Sequence, residues 1–170
     1  MDVREYTLEQ LREKISLANQ KPVLFSGTIA SNIAYGCEDK MSDKRFISKI
    51  GEISGAAEFV NKLPEAYDAM IMRNGTNLSG GQRQRLTIAR TLAKSSEIMI
   101  FDDSFSALDF KTDLKVRTDI KENFKESTKI IIGQRIGSIK DADKIVVMDK
   151  GEVVGVGTHI ELLNHCETYK

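Results

Sequence analysis

The chain has 170 residues, with 25 basic and 25 acidic side chains and 41% hydrophobic residues. That length fits one domain with a real core, and the composition excludes a wholly disordered chain. A net charge of zero argues against a general nucleic-acid-binding domain, which is usually basic, so no nucleic-acid partner is expected. Apolar runs reach only four residues, as in Ile98 to Phe101, whereas a bilayer span needs about 20. Met1 to Glu5 lacks the apolar character of a secretory signal. Cys37 and Cys166 are too few and too scattered for a disulfide framework or a zinc site, and read as free thiols in a reducing compartment.

Thr7 and Gln10 make a capping-box pattern that opens a short helix through Lys14. Ile15 to Ala18 reads as a strand. Gln20 to Gly27 reads as a loop, followed by a helical turn or two over Thr28 to Tyr35. A helical stretch runs from about Ser42 to Lys62, weakened by Gly51 and Gly55. Residues 20–77 thus read as a helical subdomain set into an α/β body. Ser79 and Gln82 repeat the capping pattern, and Leu86, Ala89 and Ala93 share one face of a helix ending near Lys94. Ile98 to Phe101 has the pattern of a parallel strand buried on both faces. A charged amphipathic helix is expected over Lys111 to Lys125, and a second buried strand over Lys129 to Ile132. Ile145 to Met148 and Val153 to Val156 flank Asp149-Lys150-Gly151 as a hairpin. His159 to Leu163 reads as a last helix. This alternation predicts an α/β fold with a mostly parallel sheet.

Two segments carry chemistry. The first is Leu78-Ser79-Gly80-Gly81-Gln82. Two glycines leave the backbone bare, so its N–H groups can approach an anion closely. The segment opens a helix, where unpaired N–H groups and the macrodipole favour a phosphate, and Ser79 adds a hydroxyl. A merely well-capped helix is the structural alternative. The second segment is Ile98-Met99-Ile100-Phe101-Asp102-Asp103. A carboxylate at the end of a buried strand reaches the ligand side of an α/β sheet. In phosphate chemistry Asp102 would hold Mg²⁺, and Asp103 beside it would orient or deprotonate a water. Two acids that merely start a loop are the alternative here.

These segments, in this order, resemble the ATPase domain of ABC transporters. Leu78 to Gln82 resembles the family signature, and Ile98 to Asp103 the Walker B strand. Ser106-Ala107-Leu108-Asp109 resembles the D-loop, which in the family touches the partner domain. Gln20 matches the Q-loop, which implies contact with Mg²⁺ and ATP. Leu24 to Ile29, Asn32-Ile33 and Gly157-Thr158-His159 resemble the exporter branch in particular. The resemblance implies a P-loop-type ATPase core with an inserted helical subdomain over about 20–77. The signature helix, Walker B strand, D-loop, switch strand and C-terminal hairpin and helix would fill 78–170.

Three departures qualify it. No Gly-rich loop ending in Gly-Lys-Ser/Thr, the Walker A cradle, occurs in the sequence. Met1 then reads as an internal methionine of a longer chain whose N-terminal strands are missing here. Asp103 stands at the catalytic glutamate position and is one methylene shorter. Gln134, in Ile131-Ile132-Gly133-Gln134-Arg135-Ile136, stands at the switch histidine position, where it can donate a hydrogen bond but cannot shuttle a proton. Arg73 and Asn74 also replace the usual Glu-Arg pair. His159 sits too late in the chain to stand in for Gln134 and reads as structural.

Asp103 and Gln134 together resemble the degenerate half of a heterodimeric exporter. The resemblance implies a second ABC ATPase domain and a membrane-spanning domain as partners, with ATP and Mg²⁺ bound only in the assembled site. It also implies a place on the cytoplasmic side of the membrane, with Gln20 to Tyr35 facing the membrane domain. Alone, the chain is expected to be inactive, to bind ATP weakly and to be marginally stable. A gene remnant, or an ABC-type ATPase of DNA repair, is the alternative.

Overall fold

Most helix starts in this chain, those at Ala57 and Ile136 excepted, are set by side chains that catch backbone N–H groups. In the computed structural model, which describes residues 2–170, Thr7 Oγ1 accepts from the Gln10 N–H and Gln10 Oε1 from the Thr7 N–H, opening α1 (Leu8–Lys14). The strand β1 (Ile15–Ala18) follows directly, then a loop, β2 (Gly27–Thr28) and α2 (Ile29–Ile33). Next come α3 (Lys44–Ile53), α4 (Ala57–Val60) and β3 (Met70–Ile71). The helix expected over 42–62 is therefore two helices, separated at Gly55, whose φ of +72° ends a helix at little cost in glycine. Then follow α5 (Gly80–Ala93), β4 (Ile98–Asp102), α6 (Phe110–Asn123) and β5 (Thr128–Ile132). The remaining elements are α7 (Ile136–Ile139), β6 (Ile145–Asp149), β7 (Glu152–Gly157) and α8 (His159–His165).

The chain forms two compact units, one ending at Ile132 and one spanning Gly133–Lys170. In the first, β1, β4 and β5 make a parallel sheet in that order. Register aligns Leu17, Ile100 and Ile130 across the three strands, and Ala18, Phe101 and Ile131 one step on. Because side chains alternate, these two rows lie on opposite faces. The Ala18–Phe101 face is packed: Met99 and Phe101 are buried against a core that includes Leu86, Ile88 and Leu92 of α5. The same core takes in Ile33, Ile47 and Val60 of α2, α3 and α4, and Val116 of α6.

The other face corrects the sequence reading of strands buried on both sides. Leu17, Ile130 and Ile132 are 49, 45 and 51% exposed, and Ile100 is only half-buried. The apolar run at 98–101 therefore has one packed and one partly open side. In this sheet β5 is an edge strand. A two-residue antiparallel ladder, Gly27 with Ile71 and Thr28 with Met70, ties the segment after the Gln20 loop to the one before Leu78.

The second unit is a hairpin, β6 against β7, with a register shift at Val147/Met148. Ile145 packs with Leu162, Cys166 and Tyr169. A third capping box, Thr158 with Glu161, opens α8. His159 Nδ1 and the Tyr169 hydroxyl share a 2.9 Å hydrogen bond, a structural role for this histidine. Cys37 and Cys166 are both free thiols, and no helix among the described residues is long and apolar enough to cross a membrane.

Candidate functional site

Leu78 to Gln82 leads into the start of α5, with Ser79 as its N-cap. Ser79 is extended, at φ −67° and ψ 163°, and its Oγ accepts from the Gln82 N–H at 3.2 Å. Gln82 Oε1 accepts from the Ser79 N–H at 2.8 Å. Both side chains thus cap the helix, and the hydroxyl keeps its own O–H for an outside acceptor. A fourteen-residue helix stands behind this end, so its macrodipole favours an anion there. Leu78 packs partly into the core, whereas Ser79 and Gly80 are exposed.

The two glycines differ in their surroundings. A Cβ on Gly80 would meet no atom within 4 Å beyond its own helix turn and neighbours, whereas one on Gly81 would stand 3.3 Å from the Ala107 carbonyl oxygen. The start of α5 therefore lies against the 106–109 segment. There Ser106 Oγ donates to the Asp103 carbonyl at 2.8 Å, and Leu108 is buried. Asp109 caps α6, accepting from the Thr112 N–H at 3.0 Å and the Thr112 hydroxyl at 2.7 Å. The Thr112 hydroxyl and N–H hold the Asp109 carboxyl below its usual range.

The ends of β1 and β4 converge. Ser104, fully buried, donates through Oγ to the Ala18 carbonyl at 2.8 Å. Gln20 Nε2 donates to Asp103 Oδ2 at 3.3 Å. Asp103 has φ +45° and its N–H donates to the Ile132 carbonyl at 2.9 Å. Aspartate tolerates the left-handed region better than longer side chains do. Asn74, at φ +58°, occupies the same region for the same reason. Two departures from the family pattern thus fall where Asp and Asn are the favoured non-glycine residues. Asp102, the last residue of β4, alternates onto the open face with Ile100. Gln134 is exposed and belongs to the second unit, between β5 and α7.

Sequence reading missed two residues of α5. Gln84, 2% exposed, donates through Nε2 to the Asn19 carbonyl at 3.3 Å. Arg90 donates through Nη1 to the Val23 carbonyl, and through Nε and Nη2 to the carbonyl and side-chain oxygens of Asn32, all at 2.9 Å. The available signal was polar residues on an otherwise buried helix.

Asp102 carries a carboxylate, and Gln20 keeps an amide oxygen when Nε2 turns to Asp103; together these would offer a sparse set of hard oxygen donors. Such a set fits Mg²⁺, which keeps waters and phosphate oxygens as most of its ligands, and does not fit a cation needing a protein cage. No cluster of three or more His, Cys, Asp or Glu suited to a metal occurs among the described residues. An exposed helix start with bare glycines, and adjacent carboxylates at the end of a parallel strand, fit an α/β domain of the nucleotide-handling class.

The comparisons with known proteins agree. The ABC transporter family profile matches residues 1–106. The ATP-dependent lipid A-core flippase of Alkalilimnicola ehrlichii is 43% identical over 161 residues, 95% of this chain and 27% of the flippase. The flippase of the same name from Haemophilus influenzae is 41% identical over 170 residues, all of this chain and 29% of its own length. A bacterial Atm1-family ABC exporter, solved with ATP bound, superposes with a TM-score of 0.92 at 34% identity, covering 99% of this chain and 29% of the exporter. The chain belongs to the ABC transporter family, with the fold of its exporter-type ATP-binding domain. It spans under a third of the length of these relatives.

Proposed function

We propose that this chain forms the C-terminal part of the ATP-binding subunit of an ABC exporter. It lends Leu78 to Gln82 to a composite ATP site completed by a second ABC ATPase domain. Residues 20–77 then serve as the Q-loop and helical subdomain, and 78–170 as the remainder. The observation that carries this reading is the start of α5. Its capping box is made within the chain, yet Ser79 and Gly80 are exposed and a Cβ added at Gly80 would point into open space. A bare glycine that the fold does not need is explained by an approaching outside ligand.

In the composite site the Ser79 hydroxyl and the α5 N–H groups bind phosphate oxygens contributed with the partner's Walker A loop. Ser106 to Asp109, against Gly81, faces the partner domain. On this chain's own side, Asp102 and Gln20 would hold Mg²⁺, and the cation would neutralise charge on the phosphates. Asp103 at the base position and Gln134 at the switch position make that side slow, so the pair is a heterodimer with one fast site. Exposed Val23, Phe25 and Tyr35 suit the Gln20–Tyr35 surface to a membrane-spanning partner; on this reading the chain lies on the cytoplasmic side of the membrane. The flippase relatives support efflux of a lipid-like substrate as the process powered.

The test is Ser79→Asp in the assembled transporter. Aspartate keeps the helix cap but sets a negative charge against the phosphate. ATP turnover is expected to fall by about 10²-fold or more, the usual cost of losing a placed transition-state donor. Turnover at the wild-type level overturns the reading.

A further inference from the structure

Arg90 is a cation without a carboxylate. None of the ion pairs among the described residues includes it, and burial lowers its pKa. In place of an acid it has three oxygen acceptors on two chain segments. It also has two aromatic rings, Phe25 at 5.0 Å and Tyr35 at 5.2 Å from the guanidinium carbon. The rings themselves lie 4.6 Å apart. Asn32, 1% exposed, extends the network: its Oδ1 accepts from the Phe25 N–H, and its Nδ2 donates to the Phe25 and Thr28 carbonyls. Only a planar fork reaches three acceptors in these directions at once; an ammonium does not.

Gln84, six residues earlier on the same helix, holds the Asn19 carbonyl. The two α5 side chains therefore fasten the backbone at Asn19 and at Val23, on either side of Gln20-Lys21-Pro22. A loop this short, pinned at both ends, has little conformational freedom left. Gln20 is its first residue, and Gln20 reaches Asp103 at 3.3 Å, at the long end for such a bond, so a small displacement breaks it.

We propose that Arg90, assisted by Gln84, is a positioning residue that sets the Gln20–Asp103 contact from the signature helix. It acts through the Gln20 loop and touches neither reacting atoms nor nucleotide. The start of α5 serves the partner's ATP site and Gln20 serves this chain's own, on the reading given above. The two sites of the pair are then coupled through one rigid connection within this chain, and the coupling is reciprocal.

The test uses the 170-residue chain with ¹³C-labelled aspartate. The Asp103 Cγ resonance is assigned by its disappearance in Asp103→Asn. Arg90→Lys and Gln84→Met are each expected to move that resonance in the same direction as Gln20→Ala, and Arg90→Lys by half or more as far. In the Gln20→Ala background neither change adds anything, because the path runs through Gln20. A merely structural role lowers the melting temperature and leaves the Asp103 resonance in place. An unmoved resonance in a folded variant, or shifts that add fully in the Gln20→Ala background, overturns the proposal. Should Arg90→Lys not fold, Gln84→Met, which removes one hydrogen bond at nearly constant volume, decides the outcome. This readout needs neither partner nor ATP, so its failure is separate from a failure of the Ser79→Asp test.

Discussion

Gln20, two residues beyond β1, donates its side-chain amide to the Asp103 carboxylate, one residue beyond β4, across 83 positions of sequence. The residue at the general-base position is thus turned toward the Q-loop residue rather than reaching freely into solvent. Its backbone, at φ +45°, fixes that direction. Gln20 takes up part of Oδ2, so a water activated by Asp103, which must come within about 2.6–3.2 Å, is left chiefly with Oδ1.

Lengthening this side chain should therefore release activity. In the assembled transporter, with the partner's own base neutralised, Asp103→Glu is expected to raise the residual ATP turnover about tenfold or more. General bases contribute about 10²–10⁴ in rate, and Gln134 still limits the gain. Steady-state ATPase assays check this, and no increase would place the defect elsewhere.

The signature glycines should separate folding from function. Gly80→Ala replaces a glycine with open space around it at the first position of α5, so the melting temperature should hold or rise; Ala gains about 0.5–1 kcal/mol in helices. ATP turnover of the assembled pair should nonetheless fall at least about tenfold, since the new methyl occupies the approach of the phosphate. Gly81→Ala must push the Ala107 carbonyl by a few tenths of an ångström, so it should lower both stability and turnover. Thermal melts beside ATPase assays distinguish the two.

The cap itself has a cost when removed. Ser79→Ala leaves the Gln82 N–H without its acceptor and should destabilise the first unit by about 1 kcal/mol. Ser79→Asp should recover that loss while remaining inactive. Urea midpoints of the two variants check the difference.

The open face of the sheet should make the chain self-associate. Leu17, Ile130 and Ile132 expose a row of aliphatic side chains next to the edge strand β5. Parallel sheets are normally covered on both faces. Light scattering is expected to show association that grows with concentration and is relieved in Leu17→Lys/Ile130→Thr. A wild-type chain that stays monomeric at high concentration would contradict this.

Acid should loosen the start of α6. Asp109 has a folded pKa below its reference value of 3.8, chiefly because the Thr112 side chain hydrogen-bonds its charged form. Its contribution is therefore complete above 3.8 and disappears as the pH falls through the lower folded value. Stability measured below pH 4 should drop less steeply in Asp109→Asn than in the wild type.

Much of this arrangement is local and was therefore legible in the sequence. The pairs Thr7–Gln10 and Ser79–Gln82 act over one turn, and both form the boxes their spacing implies. The strand at 98–101 follows from its apolar run. What stayed hidden depends on distant partners. Arg90 meets acceptors 58 and 67 positions away, and no spacing rule connects them. The open face at Leu17 and Ile130 was misread because an apolar run shows that a strand can be buried, not what covers it. The ladder between Gly27–Thr28 and Met70–Ile71 is too short to carry a periodic signal.

The central claim is that Ser79 faces the partner's phosphate-binding loop across a shared nucleotide, and cysteine cross-linking measures it most directly. Cys37 and Cys166, the two free thiols, are first replaced. Cysteines are then introduced at position 79 and in the Gly-rich Walker A loop of the partner domain. The expected result is a link between the two chains, made by a bifunctional thiol reagent long enough to pass the nucleotide's phosphates, that forms with Mg-ATP and fades when ATP is withdrawn. A pair that never cross-links through position 79, yet hydrolyses ATP at the wild-type rate, would contradict the composite site.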